Sequence, residues 1–214
     1  MDNFINPNYF PLKEIEIPIY DSEIIYNGGN QYWFLNRFHK LSGCGPIAAA
    51  NITAYLSQAF PDKFSNLYPY KGALTKKDFI EHMLEIRKWV KPGLFGLTSV
   101  QQFSNNVLSF AQSRGVTLAP HILDKDATNI QEAINFISEA MFQKLPVAIL
   151  VLKHPVKEFK EYVWHWMTIT GLRRDGENKY YISISTYGEC KEIDLDLLWN
   201  HRRPKDVISL AYFT

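Results

Sequence analysis

The run Ser42-Gly43-Cys44-Gly45-Pro46-Ile47-Ala48-Ala49-Ala50 sets a cysteine between two glycines where an alanine-rich stretch begins. At the start of a helix the first backbone N–H groups lack intrahelical partners, and the positive end of the helix dipole points there. Both effects favour thiolate over thiol, so this is a place where a cysteine becomes a nucleophile. Gly43 and Gly45 carry no Cβ, which leaves room for a substrate backbone beside the sulfur. Pro46 suits the first turn, where its missing N–H costs nothing. The same run also describes a small buried thiol at a loop-to-helix junction. A partner histidine decides between the two.

Of the six histidines, His165 sits in the clearest strand pattern. Val163, His165, Met167 and Ile169 alternate with Trp164, Trp166, Thr168 and Thr170, so the two sets face opposite ways. His39 falls in the loop before the cysteine, His82 on a helix, and His121, His154 and His201 in or near loops. The strand after His165 ends in Ser185-Thr186-Tyr187-Gly188, which places polar side chains within reach of a neighbouring strand.

Gly-Cys-Gly-Pro opening a helix, His165-Trp166-Met167-Thr168-Ile169-Thr170-Gly171, and a polar-aromatic-glycine strand end follow one another in a characteristic order. In these motifs the chain resembles the papain-like cysteine peptidase superfamily, in particular the branch similar to bacteriocin leader (double-glycine) peptidases. The resemblance covers the three motifs and the element order, not the whole chain. It implies Cys44 as nucleophile, His165 as general base and acid, and Ser185 as the group that orients the histidine. Thr186 or Glu189 are alternatives for that third position. A serine can fix the imidazole tautomer but brings no charge to an imidazolium, unlike the asparagine or aspartate usual in the family. The family also supplies a glutamine shortly before the cysteine, and the stretch from Asn36 to Leu41 has none. Asn36 is then the nearest side-chain amide for an oxyanion hole, His39 a weaker candidate, with the Cys44 N–H as the other donor. Tyr187 takes the aromatic place that shields the histidine contact.

The chemistry so implied is acyl transfer through a thioester on an amide or ester carbonyl, hence a cysteine hydrolase, foremost a peptidase. An acyltransferase or transamidase on the same fold is a second reading, and an inactive peptide- or protein-binding module a third. The partner expected is a peptide or small amide.

The elements that must position these groups read as an α+β fold in a single domain over 1–214. Short strands and turns fill residues 1–40, with Asn27-Gly28-Gly29-Asn30 as a hairpin turn. A helical part follows from about 44 to 145. The cysteine helix runs from about Gly45 to Phe60, stopped by Pro61. A second helix begins at a Thr75/Asp78 capping box and runs to about Trp89, a third spans Val100 to Ser113, and a fourth runs from near Thr128 to about Gln143. The β-rich remainder, 146–214, holds strands at Val147 to Leu152, Tyr162 to Thr170, Lys179 to Ser185 and Val207 to Phe213. An antiparallel sheet against a central cysteine helix is the expected architecture. Trp33 is a candidate for the wall of the substrate cleft.

Composition narrows the classes. In 214 residues a formal charge of +1, without long like-charge blocks, argues against nucleic acid or an anionic membrane as principal partner. Two cysteines exclude a disulfide framework. No metal-ligand spacing and no glycine-rich phosphate loop appear, so no metal or cofactor is expected. The Asn51-Ile52-Thr53 glycosylation pattern falls inside the cysteine helix and is discounted. No basic-then-apolar leader and no long apolar segment are visible, which makes the cytoplasm the expected location.

Overall fold

The computed structural model describes residues 15–93, 96–123, 129–203 and 206–214. The chain opens with a two-stranded antiparallel hairpin, β1 (Pro18–Asp21) and β2 (Ile24–Asn27). Its tight turn is Ser22-Glu23, with Ser22 at φ 55°. The expected hairpin turn at Asn27-Gly28-Gly29-Asn30 is not one. That segment leaves the end of β2 and enters a 3₁₀ turn at Gln31–Trp33 whose first N–H groups are capped by Asn30. Gly28 has φ +73°, and a Cβ there would lie 2.1 Å from Ser185 Oγ. Its glycine signal marks a close approach to the sheet rather than a turn.

A short helix, α1 (Arg37–Ser42), leads directly into the cysteine helix, α2 (Cys44–Ala59), and Gly43 serves as C-cap of one and N-cap of the other. Pro61 does end α2, but it does so as the first residue of a one-turn helix, α3 (Pro61–Phe64). Next come α4 (Lys76–Trp89), begun by the reciprocal Thr75/Asp78 bonds, and α5 (Val100–Ser113). A strand absent from the sequence reading, β3 (Pro120–Leu123), precedes α6 (Ile130–Phe142). The cap of α6 is Asn129; Thr128, the expected start, lies outside the described residues.

The remaining elements are β4 (Val147–Val151), β5 (His165–Arg174), β6 (Tyr180–Thr186), β7 (Glu189–Asp194), α7 (Leu195–Asn200) and β8 (Ile208–Phe213). β5 starts later than expected because Lys157–Tyr162 forms a 3₁₀ turn and Trp164, at φ 59°, breaks the extended path just before His165. The six-stranded sheet is antiparallel throughout, in the order β3-β8-β4-β5-β6-β7.

Helices cover both faces of this sheet. Tyr212 and Phe213 are consecutive on β8 and so point to opposite sides. Phe136 of α6 packs on Tyr212, whereas Phe103 of α5 packs on Phe213 and stacks on Trp166 at 4.2 Å. α2 shares the Trp166 face: a Cβ at Gly45 would lie 3.5 Å from the Trp166 ring. Both faces being covered explains why β4 and β8 are buried along their whole length. The buried apolar side chains form one continuous core. This is the α+β arrangement, helices on an antiparallel sheet around a central cysteine helix, that the sequence predicts. Among the described residues no helix is long and apolar enough to cross a membrane.

Candidate active site

Cys44 is the first residue of α2, half-buried, and borders a small cavity together with Gln31, Ile47, Ala48, Asn51, Trp166, Ser185, Thr186, Tyr187 and His165. The cavity holds about 10 Å³, at the lower limit for a single water. Its free space is too small for a substrate side chain.

Two opposing influences act on the Cys44 thiol. Burial pushes it up, and this is the larger effect; hydrogen bonding from the backbone of Trp166, Gly45 and Cys44 itself, followed by the field of Arg87, pulls it down. A hydrogen bond that favours the thiolate is one the sulfur accepts, so the Gly45 and Cys44 backbone acts on it in the direction expected of a helix start, against the burial that outweighs it. The balance still leaves the thiol above its ordinary range.

His165 is buried, and burial pushes its pKa down to about 4, only partly opposed by the Glu161 carboxylate. Its Nε2 lies 2.9 Å from Thr186 Oγ1, and its ring stacks on Tyr187 at 4.8 Å. Tyr187 is itself stacked on Tyr32, so one face of the imidazole is shielded by a ladder of rings that ends at the surface. Among the described residues no hydrogen bond joins Cys44 to His165. At neutral pH the two rest as thiol and neutral imidazole, not as an ion pair.

The sequence reading gave the orienting position to Ser185, and the structure gives the contact to Thr186. The reason is strand parity. Thr168 pairs with Ser185 and Ile169 with Ile184, so Ser185 shares the face of Thr168 and Trp166, and Thr186 shares the face of Ile169, Met167 and His165. Ser185 instead donates to the Asn27 carbonyl at 2.8 Å and meets the Asn51 amide at 3.3 Å. Glu189, the other alternative, is exposed at the start of β7.

Asn36, the expected oxyanion donor, does not border the cavity. It is the exposed N-cap of α1, and its Oδ1 accepts from the N–H groups of Phe38 and His39. His39 turns its ring edge-on to Phe34. Of the side-chain amides that border the cavity with Cys44, Gln31 and Asn51, Gln31 is buried with Nε2 donating to the Lys40 carbonyl at 2.8 Å. The sequence does not show Gln31 because it lies thirteen residues before Cys44, ahead of α1. The chain does not return to Cys44 directly; it loops through α1 and brings an earlier residue back.

Nor do the glycines beside Cys44 leave space for a substrate. A Cβ at Gly43 would meet the His39 carbonyl at 2.6 Å and the Phe34 ring at 2.8 Å, and one at Gly45 would meet Leu97 at 3.1 Å. Their small size serves packing within the protein. Trp33 packs edge-on against Tyr26 and Phe79 and does not border the cavity.

Asn51 turns out to be the hub. It is fully buried on α2; its Oδ1 accepts from Gly29 N–H at 2.8 Å and its Nδ2 reaches Thr168 and Ser185 at 3.2 and 3.3 Å. One side chain thus ties the cysteine helix to the loop before it and to both site strands. Among the described residues no cluster of histidine, cysteine, aspartate or glutamate has the arrangement of a metal site. Neither Cys44 nor Cys190 is in a disulfide.

The fold and site together define an α+β protein in which a helix-start cysteine and a strand histidine border one small cavity. No family model matches the chain. One curated relative is the UDP-N-acetylglucosamine–peptide N-acetylglucosaminyltransferase stabilizing protein GtfB of Streptococcus agalactiae, 29% identical over 102 residues, which are 45% of this chain and 22% of that protein. Among solved structures, the crystal structure of UfSP from C. elegans is similar with a TM-score of 0.49 and 11% identity, over 98% of this chain and 36% of that one.

Proposed function

We propose that the chain is a papain-like cysteine hydrolase that cleaves an amide bond of a polypeptide, with Cys44 as nucleophile and His165 as base and then acid. The observation that carries this reading is the cavity that Cys44, at the start of α2, and His165 both border. Because both groups rest neutral, the thiol proton passes to the imidazole as the sulfur attacks, and not before. With Nε2–H donated to Thr186, the Nδ1 lone pair is the base. The S–C bond forms, the carbonyl electron pair moves onto oxygen beside the Cys44 N–H and the Gln31 amide, and collapse expels the amine with the proton from His165. Water then attacks the thioester carbonyl as His165 takes its proton, the S–C bond breaks to release the acid, and the proton passes from His165 back to the sulfur. Among the described residues Cys44 and His165 share no hydrogen bond, so the proton transfer requires them to form one when substrate binds.

The test is the pH dependence of iodoacetamide alkylation in wild type and His165→Ala. A Cys44 engaged by His165 reacts with a rate that follows the histidine and loses that dependence in the variant; the reading fails if the two profiles coincide. Hydrolysis against amine-coupled product, measured with peptides in the presence and absence of an added amine, separates hydrolase from acyltransferase.

A second reading, an inactive polypeptide-binding module, draws on the missing Cys44–His165 hydrogen bond among the described residues and on the uncharged partner of His165. It accords with the naming of the GtfB relative as a stabilizing protein. Coincident alkylation profiles would select it.

A further inference from the structure

A buried histidine that takes up a proton in mid-reaction is helped by a negative charge near it, and Thr186, the side chain bonded to His165, brings none. The topology brings one from another direction. His165 is the first residue of β5, Thr186 the last of β6 and Glu189 the first of β7, so all three lie at one end of the sheet. Glu189 pairs with Thr186 and Lys191 with Ile184, which puts both on the face of His165. Lys191 in turn donates to the Glu161 carboxylate at 3.2 Å. Glu161 stands in the 3₁₀ turn Lys157–Tyr162 that feeds β5, four residues before the histidine. The ion pair therefore ties the entry of β5 to the edge strand β7 at the end of the sheet where His165 stands.

A surface ion pair by itself adds little to stability. This one acts on the site. After burial, which holds the imidazole neutral, the charges that act on it are Glu161, which favours the protonated ring, and then Lys191, which opposes it. The same carboxylate reaches two phenols: burial and then Glu161 push Tyr162 up to about 12, and Glu161 adds to the burial that raises Tyr187, the ring stacked on His165. Glu189, on the same face, is exposed. The charge acting on the Cys44 thiol is a different one, that of Arg87.

We propose that Glu161 is the carboxylate that stabilises the His165 imidazolium when the Cys44 proton arrives, and that Lys191 sets the strength of that support. The negative charge absent from the end of β6 is supplied from the turn that opens β5. Glu161 exchanges no proton: the thiol proton stops on the imidazole, and the carboxylate acts on it through space, as a positioning residue. The proposal rests on the reading of Cys44 and His165 as a catalytic pair.

The experiment records the pH titration of the His165 imidazole by NMR, assigned by its loss in His165→Gln, and the rate of Cys44 alkylation by iodoacetamide at pH 7. Both are measured in the full chain and in Glu161→Gln, Lys191→Met and the double variant, with circular dichroism to check the fold. Both side chains are partly exposed, and solvent limits each effect to about half a pH unit, or roughly threefold in rate. A ring that holds its proton more tightly leaves more thiolate at pH 7. Glu161→Gln is therefore expected to move the titration to lower pH and slow alkylation, Lys191→Met to do the opposite, and the double variant to lie between them. Each rate effect vanishes in the His165→Ala background, because the pair acts through the ring. Titrations that neither variant moves, titrations that both move in the same direction, or rate effects that persist without His165 overturn the proposal and leave the pair a structural tie. If the titrations move as expected while Cys44 alkylation is the same with and without His165, the Glu161 field stands and the hydrolase falls. If alkylation follows His165 and the pair moves nothing, the reverse holds.

Discussion

His165 and Thr186 are joined at 2.9 Å across adjacent strands on one face of the sheet, and Ser185, one residue earlier, faces the other way. The two positions therefore separate site from scaffold. Thr186→Val leaves a buried ring nitrogen without a partner, which costs about 1–3 kcal/mol and frees the imidazole to change tautomer. We expect the histidine dependence of Cys44 alkylation to weaken in that variant. Ser185→Ala loses its bonds to Asn27 and Asn51 at a similar cost in stability and leaves the alkylation profile as in wild type. Alkylation rates across pH, with urea unfolding of both variants, check the contrast; a profile altered by Ser185→Ala and not by Thr186→Val would reverse the assignment.

Asn51 holds three structural elements at once, so its removal is felt beyond its own volume. Asn51→Ala strands the buried Gly29 N–H and opens a small cavity, a loss of about 2–4 kcal/mol in urea unfolding. Gly28→Ala forces a Cβ toward Ser185 Oγ and the Asn51 amide at positive φ, and destabilises through the same network. Because the two residues share partners, the double variant is expected to cost less than the sum of the single ones. Additivity would show that Gly28 and Asn51 act independently.

How far this site is legible in the sequence depends on whether local or long-range geometry sets each part. The cysteine helix, the Thr75 cap of α4 and the limits of α5 depend on neighbours within a turn, and their signals are read directly. The orienter depends on strand register, which alternation alone leaves open by one residue, and one residue is the difference between Ser185 and Thr186. Gln31 and Asn51 escape for a different reason. An amide says nothing of its tertiary partner, and the glycosylation pattern at Asn51, discounted for its place in the cysteine helix, carries no sign of its bonds to Gly29, Thr168 and Ser185. The Asn27-Gly28-Gly29-Asn30 segment has the composition of a hairpin turn, but its glycines answer to a helix and a strand far along the chain.

Gln31 and Asn36 offer a direct comparison of two amides. Gln31→Ala removes the side chain next to Cys44, and hydrolysis of a peptide substrate is expected to fall by about two powers of ten if its amide meets the oxyanion. Asn36→Ala removes a helix cap on the surface and is expected to cost about 1 kcal/mol of stability with no loss of turnover. Measuring turnover and thermal unfolding on the same two proteins decides it, since a larger turnover defect in Asn36→Ala would return the oxyanion position to α1.

Arg87 places a positive field on Cys44 from beneath the helix start while bonded to Ser42. Replacing it by methionine keeps much of the packing against Phe34 and Phe38 and removes the charge. The alkylation profile of Cys44 is expected to move to higher pH in Arg87→Met and to return toward wild type in Arg87→Lys. Coincident profiles for wild type and Arg87→Met would assign Arg87 to packing alone.

His165 is held neutral by burial, with its pKa near 4 in the folded chain against about 6.5 when unfolded. Above pH 6.5 both states carry the neutral ring and the residue contributes no pH dependence. As pH falls from 6.5 toward 4 the unfolded chain takes up the proton and the folded chain does not, so stability declines across that window, by roughly 3 kcal/mol at most. His82, fully buried against Thr53 and pushed down to about 3, acts in the same direction over a window that reaches lower. Urea unfolding from pH 7 to pH 4 is therefore expected to show a steady loss in wild type. The loss shrinks in His165→Gln, whose amide can still bond Thr186 but cannot be protonated. An undiminished loss in that variant would mean that His165 is not kept neutral by burial, and the resting thiol–imidazole state assigned to the site would go with it.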